Sequence, residues 1–280
     1  MAKLSVIIPT YRRAAILAEC LKRLERQTVA SELEVIIVSD GHDDKTATLF
    51  AKSTWPMTVK FFEIEKSQQG SARNEGLAHA SAKTVLFIGD DIFLEPNACA
   101  IHLAVHDSTP HSVAVLGHTT WDPSVGITPV MTWLETSGWQ FGYPKISAFS
   151  HTLLPENIQH RFTYTSHISL PLSEAKKRLF RTDVHLYGWE DIEWGMRLQS
   201  SGVRLYYEPQ AKALHHHRMT MEDSLKRMET LGRSAVEIQK KVPEFDRVPT
   251  GWKLFWYRVA ALLPTMAGRH RKFFLRGLRN

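Results

Sequence analysis

Cysteine is scarce in this chain, with only Cys20 and Cys99 among 280 residues. Each falls in a helix-like pattern and the two have no metal-binding spacing, which excludes a disulfide scaffold and a zinc knuckle and implies reduced structural thiols. Long hydrophobic runs are also missing. Met1-Ala2-Lys3 leads directly into LSVIIPT, an apolar run closed by proline and too short for a signal core or a membrane span. A cytoplasmic protein is the expectation. No internal repeat or low-complexity tract is evident. Acidic residues are absent from 251–280, where Lys253, Arg258, Arg269, Arg271, Lys272, Arg276 and Arg279 lie, so this tail carries +7 of a net +6 and the rest sums to −1. Basic residues confined to a tail do not line a groove, and no nucleic-acid partner is expected. At 43% hydrophobic and 23% charged the chain is neither disordered nor fibrous, and its length suffices for a sizeable core.

What is present is an alternation of strand and helix patterns through the first half. β-rich runs occur at 4–9, 33–39, 57–64, 83–89 and 112–117. Between them lie amphipathic stretches such as 14–26, with Ile16, Leu17, Cys20, Leu21 and Leu24 on one face, and 71–82. Strands that are almost wholly apolar and separated by helices predict a mainly parallel sheet covered on both faces. Ligands of such sheets bind beyond the carboxyl ends of the strands, where PTYRR, SDGHDD and GDD all fall. From Gly117 to about Phe162 the pattern dissolves into a segment rich in Trp, Gly, Pro and Thr. Order returns with helices expected over 172–180, 190–199 and 221–241, a strand from Val203, and a helix from Trp252 towards Pro264.

The run VLFIGDDIFLEP places Asp90 and Asp91 where a buried strand ends. A solvated Gly-Asp turn accounts for the pair itself. The apolar Ile92, Phe93 and Leu94 that follow favour a cleft, and paired carboxylates in a cleft suit a hard divalent cation that keeps positions open for phosphates.

Five stretches in order, VIIPTYRR, VSDGHDD, SQQGSARNEGLAHA, FIGDD and GWEDIEWGMRLQSSG followed by ALHHH, closely resemble the family 2 glycosyltransferases over about residues 3 to 218. The resemblance implies the GT-A fold: an α/β domain over 1–218, with a nucleotide-sugar-binding half over 1–117 and an acceptor and catalytic half over 118–218, followed by a basic helical extension over 219–280. It implies a nucleotide pocket made by Pro9, Thr10, Tyr11 and Asp40; where the family commonly has two adjacent acids, Ser39 replaces the first and Asp40 keeps the second. SQQGSARNEGLAHA resembles the family's Gly-x-x-x-Arg-Asn segment with one residue fewer between Gly70 and Arg73, and the resemblance implies that Gly70 lets a ligand approach the backbone, Arg73 suits phosphate and Asn74 holds the loop.

In FIGDD the family's acidic motif keeps two of three positions, with Gly89 at the first. Asp91 would be the metal ligand, and Asp90 would lie nearer the ribose or a metal-bound water. A histidine of ALHHH would complete a Mn²⁺ or Mg²⁺ site; strand alternation puts His215 and His217 on one face and His216 on the other, with His215 the first choice and His217 the reserve. Asp191 would be the general base, with Glu190 orienting the acceptor or the loop; both stand in the first turn of a helix, whose dipole favours their ionised forms.

The reaction so implied is inverting, metal-dependent transfer of a sugar from a nucleoside diphosphate sugar to a carbohydrate, lipid-linked or other hydroxyl acceptor. A sugar nucleotidyltransferase and an inactive nucleotide-sugar-binding protein are the alternatives. The Trp-rich segment 118–145 is expected to shape the acceptor site. In the tail, Trp252, Phe255, Trp256, Val259, Leu263 and Met266 recur at helical spacing, which fits either peripheral contact of 252–280 with an anionic membrane or packing on the domain.

Overall fold

The computed structural model describes every residue except 52–53, 110–111, 185–186 and 280. One sheet forms its centre. Its strands are β1 (Leu4–Thr10), β2 (Leu33–Asp40), β3 (Thr58–Ile64), β4 (Thr84–Ile88), β5 (Ile92–Leu94), β6 (Val113–Trp121), β7 (Thr152–Leu153), β8 (His167–Pro171) and β9 (Arg204–His215). The order across the sheet is β3-β2-β1-β4-β8-β6-β9-β5, with β7 also paired to β9. β1, β2, β3 and β4 run parallel to one another, as apolar runs separated by helices predict. β8 then enters antiparallel between β4 and β6, and β9 lies parallel to β6. The expected mixed α/β architecture is therefore present, its parallel character strongest in the first half.

The helices are α1 (Ala14–Glu25), α2 (Asp44–Ala51), α3 (Gln69–His79), α4 (Ala98–Ser108), α5 (Pro129–Thr136), α6 (Glu156–Gln159), α7 (Leu172–Lys177), α8 (Glu190–Ser200), α9 (Met221–Lys241), α10 (Gly251–Ala261) and α11 (Met266–Gly277). Alternation along β1 divides the core. Val6 and Ile8 pack with Leu17, Leu21 and Leu24 of α1, whereas Ile7 packs on the other face with Ala72, Phe87 and Trp194. Both faces of the central strands are thereby closed, and only their ends remain for chemistry.

The segment 219–280, expected as an extension, is part of the cleft wall. A Thr220–Asp223 capping box starts α9. Ala235 and Ile238 of α9 then pack with Ile192 of α8 and Phe274 of α11. α9 and α11 approach so closely that a Cβ on Gly277 would lie 2.0 Å from the Glu229 carbonyl oxygen, which only glycine permits. The tail does not act as one face. α11 is docked, with His270 and Phe274 buried and Arg271 over the rings of Trp139 and Tyr257, while Arg269 and Lys272 stay exposed. α10 buries none of its residues; Trp252 is 71% exposed, stacks on Phe255 and meets Trp256 edge to face.

Candidate active site

The carboxyl ends of β1, β2 and β4 open into a cleft of about 1180 Å³. Pro9, Thr10 and Tyr11 line it from β1 and the following turn. Thr10 Oγ1 donates to Asp90 Oδ2 at 2.8 Å. Arg13 reaches across from the start of α1 and donates to Asp90 Oδ1 at 2.7 Å and to Asp91 Oδ2 at 3.0 Å. Two adjacent carboxylates at a strand end are thus held by one guanidinium fork. Arg13 was not singled out in the sequence, although it stands in PTYRR; only the parallel pairing of β1 with β4 brings it to the acids.

The two acids are driven apart in character. Burial, outweighing the pull of Arg13 and aided by the charge of Asp91, raises Asp90 to about 6. Burial opposes ionisation of Asp91 as well, but the His215 imidazole and then Arg13 overcome it and hold Asp91 below the usual carboxylate range.

β5 supplies the rest of this corner. Pairing antiparallel with β9, it sets Ile92 opposite His215, and the His216 amide donates to the Asp91 carbonyl at 2.8 Å. His215 Nε2 lies 3.4 Å and His217 Nδ1 3.9 Å from Asp91 Oδ2, and one ligand atom from each of the three residues falls within 4.8 Å of the others. His216 points away, its Nδ1 2.7 Å from Asp122 Oδ2 and its ring on Phe93. Trp121 stacks flat on His215 at 5.0 Å and fixes the ring plane. One carboxylate and two imidazoles with open positions suit Mn²⁺ better than Mg²⁺, and the residues fit such an ion. His215 Nδ1, buried and without a hydrogen-bond partner, adds a second reason to expect chemistry here.

On the opposite wall α8 begins with a strained turn. Gly188 has φ +102° and Trp189, a non-glycine residue, φ +71°. This turn aims Glu190 and Asp191 into the cleft. α9 holds it from behind: Ser234 Oγ donates to the Gly188 carbonyl at 3.0 Å, and Trp189 Nε1 donates to the Leu231 carbonyl at 2.8 Å. Asp191 Oδ1 accepts the Ile192 amide at 2.8 Å. Burial, then the charge of Glu190, raises Asp191 to about 7 in spite of Arg73 and Arg227. Glu190 accepts from Gln69 Nε2 at 2.7 Å.

Several residues of the expected nucleotide pocket have other partners. Arg73 is buried beside the α8 acids, 3.8 Å from Glu190, and its Nε and Nη1 have no hydrogen-bond partner. Its electrostatic partners include Glu190 and Asp191 at the start of α8. Asn74 spends its whole amide on the Phe180 backbone, donating at 2.9 Å and accepting at 2.8 Å, and does not line the cleft. Gly70 leaves room for the chain itself, since a Cβ there would lie 3.2 Å from the Arg181 carbonyl oxygen. Asp40 faces the cleft, yet its carboxylate already accepts from Lys66 Nζ, Ser67 N and Gln68 N at 2.7, 2.7 and 3.1 Å. It shapes the loop that carries Lys66 to 3.6 Å above the Tyr11 ring.

Residues 5–164 match the model of the glycosyl transferase family 2. The chain belongs to glycosyl transferase family 2. Among curated members it is 30% identical over 226 residues to validoxylamine A glucosyltransferase of Streptomyces hygroscopicus, a match covering 71% of this chain and 52% of that one. It is 32% identical over 97 residues to the poly(ribitol-phosphate) β-N-acetylglucosaminyltransferase TarS of Staphylococcus aureus, covering 34% and 17%. The chain spans about half the length of the first of these relatives. Among solved structures, residues 1–349 of S. aureus TarS with UDP-GlcNAc superpose with a TM-score of 0.63 at 21% identity, over 97% of this chain and 73% of that one. A mannosyltransferase of Pyrobaculum calidifontis in complex with GDP-Man and Mn²⁺ gives 0.61 at 19%, over 99% and 75%. These likenesses establish the GT-A fold for this family 2 chain. The family match ends before α8 and β9, so the acids and histidines contributed by those elements are identified by geometry.

Proposed function

We propose that this chain transfers a hexosyl group from a nucleoside diphosphate sugar to an acceptor hydroxyl, with inversion and with Asp191 as general base. What carries the reading is one cleft that joins the strand-end acids and histidines to Asp191 on the facing helix. Tyr11 and Thr10 border the space for base and ribose. Asp91, His215 and His217 would hold the divalent ion, whose role when bound is to offset charge on the diphosphate leaving group. Arg13 already balances the acid pair, so donor entry need not bring two bare carboxylates together. Arg73 keeps two donors free beside Glu190 and Asp191, and its charge favours the ionised base. A carboxyl raised above the usual carboxylate range by burial and by Glu190 is a stronger base toward a hydroxyl proton, which suits general-base work.

We also propose, from the surface of α10, that the protein contacts a membrane peripherally. No helix among the described residues is long and apolar enough to cross one. α10 nevertheless exposes Trp252, Phe255, Trp256 and Val259, continued by Leu262 and Leu263, with Lys253 and Arg258 exposed beside them. An apolar face edged with cations fits an anionic bilayer surface. Buried free Cys20 and Cys99 accord with a reducing compartment such as the cytoplasm.

A melting-temperature screen of UDP, GDP, CDP and dTDP sugars with and without Mn²⁺ identifies the donor, since a ligand raises apparent stability by mass action. Asp191→Asn then tests the base. It should bind that donor as wild type does while transfer falls about 10²- to 10⁴-fold. A folded, donor-binding variant that transfers within a few-fold of wild type removes Asp191 from the mechanism.

A further inference from the structure

The wall of the cleft that follows residue 118 is crowded with positive charge. Lys145, Arg161 and Arg247 line it together. Acid is sparse around them: Arg161 Nη2 pairs with Asp246, and Arg247 Nε lies 3.5 Å from Asp246 Oδ1, too far for a hydrogen bond. Among the described residues Lys145 has no acidic partner, and its Nζ donates only to the Gly138 carbonyl at 3.2 Å. The Nε atoms of Arg161 and Arg247 are buried with no hydrogen-bond partner. Burial and then Arg247 hold Lys145 below its ordinary range; burial, against the pull of Asp246, does the same for Arg247, with Arg161 adding to it. Asp191, within electrostatic reach of Arg247, is already flanked by Arg73 and Arg227.

Three cations, with Arg247 repelled by Arg161 and itself acting on Lys145, and with guanidinium Nε donors unused, are costly unless an anion completes them. Two forks and an ammonium match the oxygens of a phosphate ester. The donor diphosphate is expected across the cleft, at the Asp91, His215 and His217 corner. Arg227 is left out, because it reaches Asp191 and His217 electrostatically and so can serve that diphosphate.

We propose that Lys145, Arg161 and Arg247 bind a phosphate group of the acceptor and so bring its hydroxyl to Asp191. This rests on the transferase reading and adds the acceptor's chemical class. The phosphate belongs to a soluble phosphoester or to a lipid headgroup, and α10 begins only four residues beyond Arg247, where a headgroup would arrive.

The test uses the full chain with Mn²⁺ and saturating UDP, or GDP if the donor screen selects it, so that the donor site is filled. Calorimetry with glycerol 1-phosphate is run against uncharged glycerol, and sedimentation with phosphatidylcholine vesicles is run with and without phosphatidic acid. Wild type should bind at least one phosphate probe. Arg247→Gln and the exposed Lys145→Gln should each weaken that binding about 10-fold, the loss of one charge-assisted hydrogen bond. Nucleotide affinity and melting temperature should stay near wild type. Dependence in the soluble arm identifies a free phosphoester, and dependence in the vesicle arm alone identifies a lipid. The proposal is overturned if neither arm responds to either variant, or if nucleotide affinity falls in step with phosphate affinity. Should wild type bind no nucleoside diphosphate at all, the transferase reading fails first; if it binds nucleotide and no phosphate probe, only the present proposal fails.

Discussion

The two walls of the cleft are built in opposite ways. On the donor wall, β1, β2 and β4 are buried along their whole length, and Thr10, Asp40, Asp90 and Asp91 follow directly from where those strands stop. On the facing wall, Lys145, Arg161, Asp191 and Arg247 come from separate loops and helices, some a hundred residues apart. A strand end fixes a side chain by the rigidity of its sheet, whereas a loop residue must be fixed by whatever packs behind it. For Asp191 that backing is α9. Substitutions should therefore behave differently on the two walls: local and electrostatic on the first, transmitted through packing on the second.

The seam between the walls offers the largest expected effect. β8 lies between β4 and β6, and His102, His106 and His167 form a chain there with Ser169 and Thr119: His102 Nε2 is 3.1 Å from His167 Nε2, and His102 Nδ1 and His106 Nε2 are each 2.8 Å from Ser169 Oγ. Burial lowers all three imidazoles, His106 to about 4 and His167 to about 3. Because the folded chain keeps them neutral, the unfolded chain takes up more protons below its ordinary value of 6.5, and stability falls as pH drops from there towards the folded values. At pH 5 each group can cost up to about 2 kcal/mol, and above pH 7 none contributes. Denaturant midpoints at pH 7 and pH 5 measure this. A midpoint unchanged between them would mean that the network is open to water.

Next comes the donor wall. Asp91→Ala should weaken Mn²⁺-dependent nucleotide binding on the order of 100-fold, since even outer-shell partners of a metal are worth about 10- to 100-fold. His215→Ala and His217→Ala should both raise the Mn²⁺ concentration required, and His216→Ala should not, because His216 is held by Asp122 on the other face. Equal responses from all three histidines, measured by Mn²⁺ titration of nucleotide binding, would show that the Asp91 corner is not a discrete site.

Gly188→Ala probes the other wall with a smaller effect. Its φ of +102° is strained for any side chain, and a Cβ would lie 2.3 Å from Leu231 Cδ2. A cost of about 1 to 3 kcal/mol is expected, with transfer reduced and donor affinity kept. If donor affinity falls as far as transfer does, the turn and the donor wall are one mechanical unit and the contrast between them is lost.

How far the sequence was legible follows the same division. The apolar runs and the acids at their ends located β1, β2, β4, Asp90 and Asp91, since adjacency along the chain is adjacency in space there. The strand β5 was read only as an apolar run, although its pairing with β9 is what sets Asp91 beside His215 and His217. Arg13, Arg227 and Arg247 carry no local signal, because a surface arginine and a cleft arginine look alike until tertiary pairing places them. Asn74 and Gly70 fall in a segment that resembles the family's motif, and in the structure they meet the 180–181 backbone. α9 was expected beyond the catalytic region, and its polar sequence does not reveal that one serine and one leucine carbonyl restrain the turn before Asp191.

Ser234→Ala gives the smallest expected effect and the most direct reading of that restraint. Ser234 is fully buried in α9, and its hydroxyl makes one hydrogen bond to the Gly188 carbonyl. Losing it should cost about 1 kcal/mol, which lowers the melting temperature of a chain this size by roughly 2 to 4 °C. A purely structural serine would show that shift and nothing else. If Ser234 positions the base, kcat falls several-fold while the donor dissociation constant stays the same, since the donor wall does not touch α9 through this bond. Ser234→Thr, which keeps the hydroxyl, should recover part of kcat even where its extra methyl lowers stability. Loss of stability with kcat intact in Ser234→Ala would instead mean that the αL turn of Gly188 and Trp189 is held by the Leu231 contact and by its own backbone.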